Sequence, residues 1–455
     1  MTGRTAPMIA AVLLTVVPVL TAVPAAAVGP PPIEHRLLPP AGPAASRYPT
    51  EQFAACATAP VVVAGPPRDK PELRTAWVRT RGAGQLVAVI DTGVARHRLL
   101  PHLVPGGDYV GDGDGTADCD GHGTIVAGII GAAPDPAGGF SGIAPDAAVL
   151  AIRQSSIKFR ASEHTGGGDG VGDVESLAAA VRAAADQGAT VINISSVACL
   201  AAADALDDRA LGAALAYAVD TRNVVVVAAA GNVGGQGTCP QQNPLPAAGG
   251  GPDWDRVEVV ASPSWYDDYV LTVGSVDPDG APSDFTLAGP WVDVAAPAEA
   301  VISLNPTGEG LVDTMPGYPE PQPISGTSYA APVVSGVAAL LRAVAPNLTA
   351  RQVMHRIEST ARRPASGWNP WVGHGVVDVL AAMRGIAGPV PAIPARPLAQ
   401  PSPVVTEAEP RRFALVGAAV CAVLAAASAA LRSRRGADAV PHDGGTGDTE
   451  FGSAR

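Results

Sequence analysis

The stretch "DVESLAAAVRAAADQGATVINIS", Asp173–Ser195, joins a helical pattern directly to a buried strand. Its first part places Leu, Ala and Val near helical spacing, and "TVINIS" is a short run of branched apolar residues. Four other runs resemble this strand: "QLVAVID" at 85–91, "AVLAIR" at 148–153, "VVVVAAAG" at 224–231 and "YVLTVGSV" at 269–276. Apolar strands separated by helices predict an α/β fold with a mostly parallel central sheet and helices on both faces.

Polar residues follow several of these runs, and sites in such sheets form beyond the carboxyl ends of the strands. Asp91 ends "QLVAVID" and Asn232 follows "VVVVAAAG". His122 lies between two glycines before the apolar run "TIVAGIIG", and Ser328 lies at the start of "SYAAPVVSGVAALL". Taken singly, each residue has a structural explanation, as a turn residue or a helix cap.

Taken together, Asp91, His122 and Ser328 supply an acid, a base and a nucleophile in that chain order. This combination predicts nucleophilic catalysis, in which His122 takes a proton from Ser328 and Asp91 orients the imidazole. Asn232 is predicted to donate its side-chain amide to the oxyanion that forms when Ser328 attacks a carbonyl group.

The composition bounds the class of protein. The chain has 455 residues, of which 47% are hydrophobic, which is enough for one large domain with non-globular ends. The net charge of −12 excludes the basic field that nucleic-acid binding needs. No cofactor or metal is predicted. The acidic loop "GGDYVGDGDGTADCD" at 106–120 lacks EF-hand spacing, so a structural calcium ion is an unsupported alternative.

Residues 1–27 have the pattern of a secretory signal peptide, with small residues at Ala25 and Ala27 that are typical of a cleavage site. The alternative, an uncleaved membrane anchor, is disfavoured because Pro18 and Pro24 interrupt the apolar run. We therefore expect export of the chain that follows.

A second apolar segment lies near the other end. Residues 413–431 are uncharged and would span about 28 Å as a helix, which is roughly one bilayer core. A Pro-rich linker, 387–412, precedes them, and a short tail, 432–455, begins with arginines that favour a cytoplasmic position. The pattern predicts a single-pass plasma-membrane protein whose globular body lies outside the cytoplasm.

Four cysteines fall in the exported body: Cys56, Cys119, Cys199 and Cys239. An even count in an oxidising compartment predicts two disulfide bonds, for which three pairings exist.

Three motifs resemble those of the subtilisin-like serine proteases. "VAVIDTGV" resembles the aspartate motif of that family, "DGHGTIVAGIIG" the histidine motif and "SGTSYAAPVVSGVAALL" the serine motif, while "AAAGN" resembles the oxyanion segment. The resemblance implies a subtilisin-like peptidase domain, here at 83–386, with the catalytic and oxyanion roles given above. It also implies that Ser328 begins a tightly packed helix and that Pro332 falls near its first turn, where a missing N–H costs least.

Further features are similar to the mycosins, the membrane-bound subtilases of type VII secretion systems: "DCDGHGT", "NISSVAC" and the C-terminal anchor. This resemblance implies proteolysis of exported proteins and a structural role within the secretion membrane complex. The alternative is an assembly factor of that complex whose proteolytic activity is dispensable.

Ser195, Ser196 and Val197 occupy the position at which the family binds substrate. Many secreted subtilases have Ser-Leu-Gly here, so the branched Val197 predicts a pocket that prefers small P1 residues.

Cys199 and Cys239 follow two neighbouring predicted strands, so we expect them to be bonded to each other, which leaves Cys56 to pair with Cys119. The Pro-rich extension, 28–82, is expected to wrap the domain if the mycosin resemblance holds. It is expected to be a removable inhibitor if the general subtilase pattern holds.

Overall fold

The computed structural model describes residues 28–385, apart from 63–70, 136–138, 163–169, 205, 235–238, 247–249, 317–319 and 366. The chain divides into two units, 1–394 and 395–455, and all described residues lie in the first. The predicted signal peptide, linker, membrane helix and tail lie outside the described residues.

The described residues form both strands and helices. The strands are β1 Thr50–Gln52, β2 Leu86–Asp91, β3 Leu103–Asp108, β4 Ala148–Arg153, β5 Phe159–Ala161, β6 Val191–Ile194, β7 Ala198–Ala201, β8 Val225–Ala229, β9 Val259–Ser262, β10 Leu271–Val276, β11 Val294–Pro297, β12 Ser303–Leu304 and β13 Leu311–Val312. The α-helices are α1 Pro71–Trp77, α2 His122–Gly131, α3 Val174–Asp186, α4 Arg209–Ala216, α5 Thr327–Val344, α6 Ala350–Thr360 and α7 Val379–Met383.

Seven strands form a central sheet in the order β11-β10-β8-β6-β2-β4-β3, and every neighbouring pair is parallel. The five predicted strands occupy its interior, and the predicted α/β class is confirmed. The two edge strands, β3 and β11, were not predicted. β3 contains Pro105 and a register shift between Pro105 and Gly107, and proline and bulges of this kind are typical of sheet edges.

Helices cover both faces of the sheet. The side chain of Asn193 in β6 accepts a hydrogen bond from Ser335 of α5, so Asn193 points to the face that α5 covers. Side chains alternate along a strand, so Ile192 and Ile194 point to the opposite face. The helices α2 and α5 pack together on the first face, and α3 packs with α4 on the other. The predicted helix α3 begins with a capping box, in which Asp173 and Ser176 each accept a hydrogen bond from the other's backbone N–H.

The helix α5 runs through the core of the domain. Among the described helices it is the one long and apolar enough to span a membrane, yet 78% of it is buried in the protein. It packs closely: a Cβ added at Gly336 would lie 2.5 Å from Cβ of Ile143. The small residues of this stretch therefore serve contact with neighbouring elements.

The described part of the N-terminal extension, residues 28–62, lies along the surface of the domain. Its strand β1 pairs antiparallel with β5, and the bond between Cys56 and Cys119 attaches it to the loop before α2. Farther along, the N–H of Val62 donates to the carbonyl of Leu311 at 2.8 Å. These contacts attach the described part of the extension to the domain at three places.

Candidate active site

Asp91 is the last residue of β2, a central strand of the sheet, and it is fully buried. Its Oδ1 accepts a hydrogen bond from the N–H of Thr92 at 2.7 Å and lies 2.7 Å from Nδ1 of His122. Its Oδ2 is buried and has no hydrogen-bond partner among the described residues. The carboxylate is thus held in one orientation, with the imidazole as its side-chain contact.

His122 is the first residue of α2, and the turn before it determines where its ring lies. Gly121 has a left-handed conformation with φ of 87°, which glycine adopts at little cost. Gly123, the residue after His122, lies so close to the end of β2 that an added Cβ would be 3.0 Å from Cβ of Asp91 and 2.1 Å from the carbonyl oxygen of Gly93. The absence of a side chain at Gly123 therefore allows His122 to reach Asp91.

Asp118 holds this turn together, and the sequence reasoning did not identify it. Its carboxylate accepts from the N–H of Gly121 at 2.7 Å, from the N–H and hydroxyl of Thr124 at 2.8 and 2.6 Å, and from the hydroxyl of Thr92 at 2.9 Å. It links the end of β2 to the start of α2. The available signal was its place in "DCDGHGT", four residues before His122.

The buried charges act on each other. Burial lowers the pKa of His122, but the Asp91 carboxylate and its hydrogen bond raise it more, so the net pKa lies above the usual range. Burial raises the pKa of Asp118 to about 6, despite the hydrogen bonds from Thr124 that lower it. The site therefore favours a protonated imidazole, which is the form that a general base reaches after it takes a proton.

Ser328 is the second residue of α5 and is half-buried. The first N–H groups of a helix lack partners within the helix, so the serine lies at a positive helix terminus. Gly326 precedes the helix with φ of 152°, a conformation that side chains disfavour. The following residue, Tyr329, packs its ring 5.3 Å from that of His122, so the start of α5 lies beside the Asp91–His122 pair.

Asn232 follows β8 and contacts the same turn. Its Oδ1 accepts from the N–H of Thr327 at 3.0 Å and from the Thr327 hydroxyl at 3.1 Å. Its amide Nδ2 lies 3.6 Å from the position that a Cβ on Gly326 would take. Asn232 therefore lies beside the turn that leads into Ser328, and the hydrogen bonds with Thr327 use its oxygen and not its amide donor.

The position of Pro332 differs from the expectation. It is the sixth residue of α5, not part of the first turn. An N–H at this position would bond to the carbonyl of Ser328, four residues earlier, and proline has none. The hydroxyl of Ser195 donates to that carbonyl instead, at 2.7 Å. Ser195, expected to bind substrate, thus uses its side chain within the protein.

The other expected substrate-binding residues, Ser196 and Val197, lie between β6 and β7 and are half-buried. Val197 packs against the main core. Both disulfide bonds have the predicted pairing, Cys56 with Cys119 and Cys199 with Cys239.

The second disulfide lies against the turn that carries Asn232. A Cβ on Gly231 would be 2.9 Å from Sγ of Cys239, and the N–H of Cys239 donates to the carbonyl of Asn232 at 3.1 Å. The Cys199–Cys239 disulfide therefore supports the turn that carries Asn232, the candidate donor to the oxyanion.

Carboxylates of the acidic loop accept hydrogen bonds from the loop itself. Asp108 accepts from the N–H groups of Val110 and Gly111 at 2.7 and 2.8 Å, and Asp114 accepts from the N–H of Thr116 at 2.9 Å. Within the described ranges, three or more His, Cys, Asp or Glu side chains are nowhere grouped so as to hold a metal ion.

Comparison with known proteins agrees with this architecture. The Subtilase family model matches residues 82–375. Mycosin-4 of Mycobacterium tuberculosis is 56% identical over 425 residues, which cover 90% of this chain and 92% of that protein. A solved structure of MycP3 protease from the type VII (ESX-3) secretion system is 45% identical with a TM-score of 0.70, and the match covers 78% of this chain and 99% of that one.

A chain in the structure of an intact ESX-5 inner membrane complex is 39% identical with a TM-score of 0.73, over 89% of this chain and all of that one. The match to the family model covers most of the peptidase domain, and the resemblance to Mycosin-4 extends through nearly the whole chain. The chain is therefore a serine endopeptidase that belongs to the subtilase family and, within that family, to the mycosins.

Proposed function

We propose that Asp91, His122 and Ser328 form the catalytic triad of this endopeptidase and that the enzyme cleaves proteins exported by a type VII secretion system. The observation that carries the proposal is the 2.7 Å contact between Asp91 and His122 beside the first turn of α5. A buried carboxylate on Nδ1 leaves Nε2 as the atom that can accept a proton.

In the first step, the Ser328 hydroxyl attacks the substrate carbonyl, its proton passes to Nε2 of His122, and a tetrahedral oxyanion forms. The Ser328 N–H and the Asn232 amide donate to this oxyanion. The C–N bond then breaks as His122 gives the proton to the leaving amine. Water, deprotonated by His122, hydrolyses the acyl-enzyme and restores the serine hydroxyl.

The relatives support the cellular part of the proposal. MycP3 is described as a protease of a type VII secretion system, and another similar chain belongs to an inner membrane complex of such a system. We infer that this chain is anchored in the plasma membrane by residues 413–431, with the peptidase domain outside the cytoplasm. The reaction of an impermeant maleimide with a Val78→Cys variant in intact cells tests that orientation, because Val78 is 87% exposed, and a lack of reaction would overturn it.

A fluorophosphonate probe tests the triad, because it forms a covalent bond with an activated serine. We expect labelling at Ser328 that is lost in the Ser328→Ala variant. The matched control is Ser325→Ala, which removes a neighbouring hydroxyl that accepts a hydrogen bond from the N–H of Ala300. Equal labelling of wild type and Ser328→Ala protein would disprove the assignment.

A second function follows from the similarity to a component of an assembled membrane complex. We propose that the folded chain also acts as a structural part of such a complex. Secretion by cells that carry Ser328→Ala, compared with secretion by cells that lack the chain, tests this role. Normal secretion with the variant and none without the chain would assign the essential role to assembly, whereas equal loss would assign it to proteolysis.

A further inference from the structure

The carbonyl oxygen of Ser328 has an unusual partner. Pro332 cannot supply the helical N–H, so this carbonyl would be left unsatisfied at the edge of a buried helix. The hydroxyl of Ser195 donates a hydrogen bond to this carbonyl oxygen at 2.7 Å. Ser195 belongs to the segment that follows β6, so this hydrogen bond joins the central sheet to the backbone of the proposed nucleophile.

Two more side chains determine the direction of this hydrogen bond. The hydroxyl of Ser335 donates to Oδ1 of Asn193 at 2.9 Å, and Nδ2 of Asn193 donates to Oγ of Ser195 at 2.9 Å. All three residues are at most 2% exposed. A serine hydroxyl has one proton, and with Asn193 donating to its oxygen, that proton is directed to the Ser328 carbonyl.

We propose that Ser195 is a positioning residue for Ser328, with Asn193 and Ser335 holding the Ser195 hydroxyl in the required orientation. The proposal rests on the assignment of Ser328 as the nucleophile. Without the Ser195 hydroxyl, a part-buried carbonyl loses its partner, and the first turn of α5 loses one of its links to the sheet. A displacement of the nucleophile of about 1 Å costs about 100-fold in rate.

The direct test is Ser195→Ala, compared with Ser325→Ala, which removes a serine hydroxyl near the start of α5 that accepts a hydrogen bond from the N–H of Ala300. We expect Ser195→Ala to lower kcat and the fluorophosphonate labelling rate about 10- to 100-fold, with KM changed less than threefold. The pH at which activity reaches half its maximum should not move, because Ser195 does not contact His122. A labelling rate equal to that of the wild type would overturn the proposal.

Pro332→Ala gives a sharper test because it restores the helical N–H at the position that faces the Ser328 carbonyl. In this background the Ser195 hydroxyl becomes redundant, so Ser195→Ala should cost less than threefold. A double-mutant cycle measures this coupling. Equal losses from Ser195→Ala with and without Pro332→Ala would show that Ser195 acts by another route.

Two further measurements keep the test decisive. If Ser195→Ala does not fold, Ser335→Ala can be used instead, because it removes the hydroxyl that donates to Asn193. This variant should lower the labelling rate several-fold in the same assay. An unchanged rate would overturn the proposal. Wild-type protein that does not label would contradict the proposed function alone. In that case hydrogen exchange in the first turn of α5 should still be faster in Ser195→Ala than in wild type, and equal exchange would overturn the positioning role.

Discussion

Oδ1 of Asp91 lies 2.7 Å from Nδ1 of His122, although the two residues are 31 positions apart in the chain. The contact arises because β2 ends in the middle of the sheet and α2 begins beside that end. Gly123 allows the close approach, and Asp118 bonds to both segments. The pair is therefore positioned by the backbone before any substrate binds.

Asp91→Asn should lower the pKa of His122. The Asp91 carboxylate raises this pKa by its charge and by its hydrogen bond, whereas burial lowers it. A neutral amide removes the charge, so burial then lowers the pKa with less opposition. NMR titration of the His122 ring in the two proteins measures the change. An equal or higher pKa in the variant would contradict the electrostatic account. Activity should fall by about 10⁴-fold, as for the corresponding change in serine proteases.

The activity of the wild type should rise with pH through a midpoint above 6.5, the usual pKa of histidine. His122 must be neutral to accept a proton, and its pKa is raised, so the acidic limb is displaced to higher pH. The pH dependence of kcat/KM on a peptide substrate measures the midpoint in the free enzyme. A midpoint well below 6.5 would rule out His122, in this environment, as the general base.

Asn232→Ala should lower kcat by about 10²- to 10³-fold with little change in KM, the size known from the related subtilisin. The alanine variant also removes the oxygen that accepts a hydrogen bond from the N–H of Thr327. Asn232→Asp is therefore the matched control, because it keeps an acceptor oxygen for Thr327 but lacks the amide donor. Both variants should lose activity to a similar extent. An active Asn232→Asp enzyme would show that the contact with Thr327, and not the donor, matters.

Val197→Gly should broaden the P1 preference. Val197 follows the strand that ends near Ser195, and we predict that its branched side chain narrows the P1 pocket, whereas glycine would leave room for large side chains. A peptide library with varied P1 residues compares the two enzymes. We expect the wild type to prefer small residues and the variant to accept aromatic ones. Cleavage after large aromatic residues by the wild type would refute the assignment.

Replacing Cys56 and Cys119 by serine should lower the free energy of unfolding by about 2–4 kcal/mol. The bond closes a loop with a sequence separation of 63, and opening it increases the entropy of the unfolded chain. Urea denaturation under non-reducing conditions measures the loss. The extension should also become more sensitive to limited proteolysis, because β1 is then held mainly by its pairing with β5. Unchanged stability and sensitivity would indicate that noncovalent contacts suffice.

The five interior strands were predictable because each is a short run of apolar residues rich in Val, Leu and Ile. The edge strand Leu103–Asp108 was not, since its Pro105 and its bulge obscure the pattern. Asp91, His122 and Ser328 stand in recognisable motifs, as does Asn232. Asp118 was missed because its role depends on Thr92 and Thr124, which the sequence alone does not bring together.

The sequence by itself determined the class of fold, the order of acid, base and nucleophile, and the family, because these depend on periodicity and on residue types in short motifs. Tertiary structure decided which polar groups meet. The role of Ser195 is the clearest case: a missing N–H at Pro332 leaves a carbonyl on one element, and a hydroxyl on another satisfies it. Such a pairing depends on distances between elements, which local sequence does not encode.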